Sequence, residues 1–521
     1  MQELNTGIQV FRRGLYNLFL KRSDAIMNLL DALTSNGHRC KSIIQLSNVD
    51  CFNRKYSSIT DAIADGLPHA DFNKIMKLIY DSVSRKSEAK RHLFIIDCTP
   101  NPRPYARKLV DRHVTHYPNP APGNKPIVVG HQYSVLTMLP QNHLENAKHW
   151  VIPISTKRVE SCKKGNEVGM EQIVESISTL DLDQELCVTV GDTLYGTEQC
   201  RVSAGKQSNL VHIFRVNSKR NLYSMPTPTE SKLSKKGRKT EFGNKMNLSD
   251  VKTHRACDQY EEKSWVNSKG KEYTVQIKCW NDMLLRGSRK YHSSEYPMNL
   301  IQVKLLNDKK EEVYKRPLWL SVFGARRNEI DLFDAYQSYN SRYDIEHFFR
   351  FSKQNLLLDA YQTPDVEHEE LWWQLCMIAY TQLYLGKDNI ANSVQPWERY
   401  LPEYQNTADE IKATITPSQA QRGFADLLKV IGTPAKPSVA RGKTSGRQVG
   451  AAQVKRELKQ IIFKFKKDAR QNAESIVADS ESAPDISNPQ RILSFINLVQ
   501  ASLKKLNISA SEFTNLLLNT T

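Results

Sequence analysis

The apolar residues between positions 91 and 218 follow one order of strand-like and helix-like runs, and this order limits the possible folds more than any other feature of the chain. Three strand-like runs come first; an amphipathic helical run, a fourth strand, a short link and a fifth strand follow. In chain order these are RHLFIIDCTP, QYSVLTMLP, HWVIPISTKRV, NEVGMEQIVESISTL, ELCVTVGD, TLYGTEQCRVSAG and NLVHIFRVNS. Strands that alternate with helical segments predict an α/β fold built on a mixed sheet.

Two of these strands end in an aspartate, Asp97 in the first and Asp192 in the fourth. The order of elements is that of a ribonuclease-H-like sheet, in which the first and fourth strands are neighbours, so we expect the two carboxylates to lie side by side. Neighbouring carboxylates repel and raise each other's pKa unless cations neutralise them, which is the requirement of a Mg²⁺ site. Each aspartate alone could equally cap a helix or a turn.

A third acid occurs in YNSRYDIEHFFRFSK, residues 339–353. At about 100° per residue in a helix, Tyr339, Arg342, Glu346 and Lys353 share one narrow stripe. This pattern predicts a surface that faces a polyanion, with Glu346 as the third ligand of a two-metal centre for phosphoryl transfer and the cations holding a phosphodiester. The alternative is an ordinary amphipathic helix in which Glu346 pairs with Arg342 and Arg350.

The charge of the chain also favours a polyanionic partner. Lys and Arg number 73 against 56 Asp and Glu, which gives a net charge of +17 and a pI near 9.3. Nucleic acid is the first candidate, and a basic surface that serves only solubility is the alternative. We expect Lys235, Lys236 and Arg238 in KLSKKGRK, together with a basic helix at 453–470, to contact DNA phosphates without reading the base sequence.

Several other functional classes are disfavoured. The nine cysteines are scattered without a CxxC pair, which argues against a zinc ribbon or a disulfide framework and favours a reducing cytosol. His113 and His116 are interpreted as loop residues rather than metal ligands. No run approaches the roughly 18–20 apolar residues that a membrane span needs, so we expect a soluble intracellular protein without a membrane partner.

Changes in composition along the chain predict the domain organisation. We expect a helical N-terminal domain at 1–90, which is either a helix-turn-helix-like reader of DNA ends or a plain helical support. Residues 91–225 form the first part of the ribonuclease-H-like core, 226–325 a β-rich insertion with a hairpin turn at NSKG, and 326–400 the rest of the core with the Glu346 helix. Residues 401–521 form a helical C-terminal region with a basic linker, for DNA contact or dimerisation.

Taken together, these features resemble a known family. The Tyr-x2-Arg-x3-Glu-x6-Lys pattern in YNSRYDIEHFFRFSK, the aspartates after FIIDCTP-like and VTVGD-like strands and the β-rich insertion between the second Asp and the Glu resemble bacterial insertion-sequence transposases of the DDE type. The resemblance spans roughly residues 90–395. It implies that Asp97, Asp192 and Glu346 are catalytic and hold two Mg²⁺ or Mn²⁺ ions. It also implies DNA-binding roles for Tyr339, Arg342, Lys353 and the nearby Arg350.

The resemblance further implies how such an enzyme works. Transposases of this type nick the end of a mobile element, form and open a DNA hairpin, and join the end to target DNA, acting as a homodimer in the synaptic complex. An aromatic residue of the insertion stacks on a flipped base during the hairpin step, and Trp265 and Trp280 are the candidates, although either could equally belong to the core. The expected location is the bacterial cytoplasm, on the nucleoid when DNA is bound.

Two competing functions remain open at this point. A ribonuclease-H-like nuclease without strand transfer would use the same acids. A domesticated, transposase-derived DNA-binding protein is the other alternative, but a pure binder has no reason to keep three clustered carboxylates beside phosphate.

Overall fold

The structure of the chain is a computed structural model. It describes residues 6–84, 91–117, 126–140, 150–227, 241–266, 270–286, 292–390, 415–439, 446, 448–452 and 455–463. The chain divides into two compact units, Met1–Ile461 and Ile462–Thr521, and every helix and strand named here belongs to the first. Within the described residues, no helix is long and apolar enough to cross a bilayer.

Residues 91–215 are built on a mixed sheet. Strand β1 pairs antiparallel with β3 and parallel with β5, β4 adds to β3, and β6 pairs parallel with β5. The strands are β1 (Arg91–Pro102), β2 (His113–His116), β3 (Ile127–Met138), β4 (Ile152–Val159), β5 (Leu186–Gly191) and β6 (Leu210–Arg215). The expected α/β fold with a mixed sheet is confirmed, and the order β4-β3-β1-β5-β6 is compatible with a ribonuclease-H-like core.

The residues between the core strands and the Glu346 helix extend this sheet. Strand β12 pairs antiparallel with β6, so that Leu320 lies opposite Arg215, and β11, β10 and β9 continue outward from it. The added strands are β7 (Asn221–Tyr223), β8 (Lys245–Asn247), β9 (Gln259–Val266), β10 (Glu272–Leu285), β11 (Met298–Asn307) and β12 (Leu318–Phe323). The described strands therefore form one twelve-stranded sheet.

Helices cover both faces of the core strands, which explains why β5 is apolar along its whole length and fully buried. Helix α5 (Gly165–Thr179) packs on β1, β3 and β4, and α6 (Glu198–Lys206) packs on β6. The other face carries α7 (Leu332–Asn340), α8 (Tyr343–Asn355) and α9 (Val366–Gly386). The core is thus a three-layer sandwich.

The segment with the Tyr-x2-Arg-x3-Glu-x6-Lys pattern, residues 339–353, forms parts of two helices rather than one. At the junction, the amide of Arg342 donates to the carbonyl of Tyr339 at 3.0 Å and the amide of Asp344 donates to that of Ser341 at 3.0 Å. Such bonds between residues three apart tighten the turn and advance each residue by about 120° instead of 100°. The prediction that Tyr339 lies on the same helix as Glu346 and Lys353 is therefore wrong, because Tyr339 ends up on α7.

The N-terminal residues form helices, as expected. They are α1 (Thr6–Leu18), α2 (Ser23–Ser35), α3 (Ser57–Asp61) and α4 (Phe72–Ser84), and together with α10 (Pro417–Ile431) they pack around α9. Helix α2 is buried almost throughout, and the Arg12 guanidinium pairs with Asp31 at 2.7 Å in this interior. A helix buried on all sides cannot present a face to DNA, so α2 serves as support.

Two local predictions are wrong. Residues 455–463 form no helix, although we expected a basic helix at 453–470; instead, the amide of Lys459 donates to the carbonyl of Arg107 at 2.8 Å, which draws the segment onto the loop after β1. The rest of the predicted basic helix lies outside the described residues. His113 and His116 lie in β2 rather than in a loop, because the segment pairs with the start of β3.

A buried ion network ties α9 to the core strands. The Glu369 carboxylate accepts hydrogen bonds from Arg103 Nε at 2.8 Å, His131 Nδ1 at 2.7 Å and the Tyr133 hydroxyl at 2.9 Å. Burial alone would raise the pKa of Glu369, but the hydrogen bond and charge of His131 and the charge of Arg103 lower it to about 2. Since Arg103 follows β1 and His131 lies on β3, this cluster fixes the helical layer above the strand that carries Asp97.

We predict that Glu369→Gln lowers the free energy of unfolding by about 3–5 kcal/mol, because it leaves the buried guanidinium of Arg103 without a counter-charge. Chemical denaturation measures the loss. Glu175→Gln, which removes the exposed partner of Lys157, is the matched control and should cost less than about 1 kcal/mol. Because the pKa is lowered, the stabilisation should be complete above pH 4.5 and disappear as the pH falls toward about 2. Equal losses for the two variants would contradict this role.

Candidate active site

The parallel pairing of β1 with β5 places Asp97 and Asp192 beside each other where this pairing ends. Asp97 lies in the middle of β1, opposite Val135 of β3, so the prediction that it ends its strand is wrong: β1 continues to Pro102 because it stays paired with β3. The last paired residues are Ile95 and Val190, and each aspartate follows two residues later. The predicted adjacency of the first and fourth core strands is therefore confirmed. Asp192 also caps a 3-10 helix, Thr193–Tyr195, by accepting a hydrogen bond from the amide of Leu194 at 2.8 Å. For Asp192 the capping interpretation and the catalytic one are thus compatible.

Arg342 joins the third acid to the first. Its Nη1 lies 3.4 Å from Asp97 Oδ2, and its Nη2 lies 2.9 Å from Glu346 Oε1. Glu346 thus approaches β1 from α8, on the face of the sheet to which Asp97 points. The side chain of Asp97 is 18% exposed and that of Glu346 is 39% exposed, so this group lies at the boundary between core and solvent.

Burial and the neighbouring charges shift the pKa values of the two aspartates in this group. Burial raises the pKa of Asp97 to about 7; the charge of Arg342 opposes this shift, and the negative charges of Asp192 and Glu346 add to it. Burial also raises the pKa of Asp192, against the hydrogen bond from Leu194 and the charges of Arg342 and Arg215. The three carboxylates are close enough to affect one another, and Arg342 is the one cation bonded to two of them.

The donor set suits a divalent cation, but it is not arranged as a finished metal cage. Carboxylate oxygens are the ligands that Mg²⁺ and Mn²⁺ prefer, and a cation here would offset the negative charges of Asp192 and Glu346, which add to the effect of burial on the pKa of Asp97. Among the described residues, however, no three His, Cys, Asp or Glu side chains are grouped closely enough to hold a metal ion. The guanidinium of Arg342 lies between Asp97 and Glu346 instead. The residues therefore fit a divalent ion provided that Arg342 moves away.

Lys353 is bonded to the strand that carries Asp97. Its ammonium donates to Thr99 Oγ1 at 2.8 Å and to the carbonyl of Pro100 at 2.9 Å. Burial lowers the pKa of Lys353, and the charge of Asp359 opposes the shift. Thr99 and Asp97 point to the same face of β1. Arg342, directly before the N-terminus of α8, and Lys353, near its C-terminus, therefore attach both ends of the helix to β1.

Arg215 is a site residue that the sequence analysis missed. It is the last residue of β6, its side chain is exposed, and its charge acts on both Asp192 and Tyr339. Within the described part of the chain its guanidinium has no hydrogen bond or ion pair. The available signal was its position, because NLVHIFR ends in a charged residue at the same sheet edge as ELCVTVGD.

A cleft of about 400 Å³ opens beside the acids. Arg342 belongs both to this cleft and to the acid group, and Tyr339, which is largely buried, lies in its wall. Its cationic and aromatic lining residues include Arg215, Lys304, Tyr314, Arg316, Tyr336 and Tyr343. Basic and aromatic side chains in one concave site are typical of binding sites for nucleotides.

The two candidate tryptophans lie outside this cleft. Trp280 is 2% exposed, its indole donates to the carbonyl of Arg255 at 2.9 Å, and it packs against Trp319. It is a core tryptophan in this conformation. Trp265 is 37% exposed and stacks on Tyr273 in the β9–β10 hairpin.

The remaining predicted DNA contacts are spread along the chain. Arg350 is exposed on α8, on a different side from Arg342, and makes no ion pair with Glu346, so only half of the predicted pairing of Glu346 is present. Lys235, Lys236 and Arg238 lie outside the described residues.

Comparison with known proteins agrees with this geometry. The family model of DDE superfamily endonucleases matches residues 14–282, slightly more than half of the 521 residues. The match includes Asp97 and Asp192 and ends before Glu346. No curated protein matches the chain. Endonucleases of this superfamily act on DNA and generally use divalent metal ions. On the combined ground of the neighbouring aspartates and the extent of this match, the chain belongs to the DDE superfamily endonucleases.

Proposed function

We propose that this protein is a DDE transposase of the insertion-sequence type that carries out metal-dependent cut-and-paste transposition. The observation that supports the proposal best is the bonding of Asp97 and Glu346 to Arg342, with Asp192 near enough for its charge to act on Asp97 and a cationic cleft that Arg342 also lines. A phosphodiester bound in that cleft lies next to the acids. An end of a mobile element and a target DNA are then the substrates.

The cleft binds the DNA end. Arg215 and Arg316 offer guanidinium groups to phosphate oxygens, and the wall tyrosines Tyr314 and Tyr343 offer ring faces to an unpaired base. The volume of about 400 Å³ is in the range of small-ligand sites. These tyrosines replace Trp280 as candidates for stacking on a flipped base, because the rings of Trp280 are already covered. Trp265 remains a candidate.

Asp97, Asp192 and Glu346 would hold the divalent ions, Mg²⁺ or Mn²⁺ and two in number by the family resemblance. When bound, such ions activate the attacking oxygen and stabilise the charge that develops on the phosphate and the leaving oxygen. The guanidinium of Arg342 can bind either the carboxylates of Asp97 and Glu346 or a DNA phosphate. It neutralises Asp97 and Glu346 when DNA is absent, and it turns to a phosphate in the cleft when DNA is present, which exposes both carboxylates. Lys353 keeps α8 at a fixed distance from β1 during this exchange.

The reaction consists of successive phosphoryl transfers. Water attacks the phosphorus at the end of the element and releases a 3′-hydroxyl. This hydroxyl attacks the phosphorus of the opposite strand, which displaces the 3′-oxygen of the flanking DNA and closes a hairpin on the element. A second water attacks the hairpin phosphorus and releases the 3′-hydroxyl of the element again. The 3′-hydroxyl then attacks a phosphodiester of the target and displaces a 3′-oxygen of the target strand. No covalent bond to the protein forms. Two ends must react together, so the working form is a homodimer on DNA.

We predict that Asp97→Asn and Glu346→Gln each reduce Mg²⁺-dependent cleavage of end DNA by at least about 100-fold, since each removes a carboxylate that would hold a divalent ion beside the reacting phosphate. The substrate is a duplex that carries the inverted repeat flanking the gene, analysed on denaturing gels. Asp334→Asn, an exposed acid on α7 paired with Arg91, should leave the rate unchanged. Intact cleavage in either active-site variant would exclude the assignment. Cleavage by the wild type without joining of precut ends to target DNA would identify a nuclease instead of a transposase.

Arg215→Gln should weaken binding of end DNA and reduce the slope of log affinity against log salt by about one, the value for one lost phosphate contact. Fluorescence anisotropy at several salt concentrations measures both quantities. Arg326→Gln is the control, because Arg326 is already paired with Glu329 at the surface. An unchanged slope for Arg215→Gln would mean that this guanidinium faces solvent in the complex.

Arg342→Gln should strengthen binding of Mn²⁺ to the DNA-free protein by about tenfold, because it removes a positive charge from between two carboxylates. The same variant should lose DNA cleavage. The free Mn²⁺ signal in electron paramagnetic resonance reports the affinity, and Arg350→Gln on α8 is the control. Weaker Mn²⁺ binding by Arg342→Gln would show that the guanidinium helps to build the metal site rather than to occupy it.

A further inference from the structure

A second contact joins the two aspartate-bearing segments on the opposite face of the sheet from Arg342. Cys98 directly follows Asp97 in β1, so its side chain points to the other face. Tyr195 ends the 3-10 helix that Asp192 begins. The Cys98 thiol and the Tyr195 hydroxyl lie 3.5 Å apart, and Tyr195 is 1% exposed.

Glycines leave the space for this pair. A Cβ atom on Gly165 would lie 2.7 Å from Cys98 Sγ, and one on Gly169 would lie 2.8 Å from Tyr195 Cε1. These two glycines are four residues apart, so they share one face of α5. Gly191, directly before Asp192, would place a Cβ 3.0 Å from the ring of Tyr195. Glycine inside a helix costs roughly 0.5–1 kcal/mol relative to alanine, so α5 gives up stability to admit the pair.

The pair also lies close to both acids. Burial raises the pKa of Tyr195, and the charges of Cys98, Asp97 and Asp192 raise it further. The phenol therefore stays neutral and contributes no charge to the site. Its effect on the aspartates is mechanical, through the short turn that connects it to Asp192 and through Cys98 to Asp97.

We propose that Cys98 and Tyr195 are positioning residues that set the separation of Asp97 and Asp192. Gly165 and Gly169 leave the space in which the side chains of Cys98 and Tyr195 pack. The inference rests on the proposed function, since the separation matters only if both acids bind the same divalent ions. Mg²⁺ requires ligand distances of about 2.0–2.1 Å in near-octahedral geometry. A shift of the Asp192 turn by a few tenths of an ångström therefore weakens Mg²⁺ more than the larger Mn²⁺.

Gly169→Ala tests the proposal by pushing Tyr195 away from α5, and Tyr195→Phe tests it by removing only the hydroxyl. We expect each variant to weaken Mn²⁺ binding, measured by paramagnetic resonance, and to raise the Mg²⁺ concentration for half-maximal cleavage by about tenfold or more. The cleavage rate at saturating Mn²⁺ should stay within about twofold of the wild type. Gly14→Ala is the control: it also adds a methyl group to a helical glycine, 3.0 Å from Leu78, but far from the acids.

The outcomes separate this proposal from the proposed function. Wild-type metal affinity in both folded variants would overturn the positioning role and leave the function untouched. If thermal denaturation shows that Gly169→Ala does not fold, the metal affinity of Tyr195→Phe alone decides whether the positioning role holds. If the wild type binds Mn²⁺ in an Asp97-dependent manner but never cleaves end DNA, the proposed function fails while the positioning role is still decided by the binding data. Absence of any Asp97-dependent Mn²⁺ binding would overturn both.

Discussion

The parallel pairing of β1 with β5 is the constraint on which the rest of the site depends. It brings Asp97 and Asp192 close together at the boundary between core and solvent, where like charges repel. A fold tolerates this arrangement only when something positive lies nearby or when one acid takes up a proton. The raised pKa of Asp97, about 7, shows how closely these two solutions compete in this chain.

The elements around the acids can be understood from this need for positive charge. Arg342, directly before α8, reaches Asp97, and α8 adds Glu346, so this segment supplies one cation and one further anion. Lys353 fixes the far end of the helix to β1, and the Glu369 network holds α9 over the same strands. The acids thus lie in a rigid frame in which the guanidinium of Arg342 is the part with an alternative partner. This makes the chemistry of the site depend on the DNA that reaches the cleft.

Much of this could be predicted from the sequence, for identifiable reasons. Apolar runs such as FII and CVTV are buried on both faces, so local composition was enough to predict that they are strands. Asp192 directly follows its strand as expected, whereas the continuation of β1 beyond Asp97 depends on pairing with β3 and was not predicted. The break at Ser341 and Arg342 was not predictable from helical periodicity, because it depends on hydrogen bonds that span three residues instead of four. Arg215 was missed because its importance arises from the neighbouring strand and not from its own segment. The sequence alone could not show which of Trp265 and Trp280 is buried. Both lie in strands of alternating polar and apolar residues, and only the packing of the folded chain buries Trp280.

The central claim is that three acids from distant segments hold divalent ions together once DNA displaces Arg342. The most direct measurement is a structure of the protein bound to an uncleaved DNA end in the presence of Mn²⁺, with the ions located by anomalous scattering. The account predicts Mn²⁺ between Asp97, Asp192 and Glu346, with Arg342 bonded to a DNA phosphate. Mn²⁺ held elsewhere, or Arg342 still bonded to Asp97 and Glu346 while the phosphate lies outside the cleft, would contradict it.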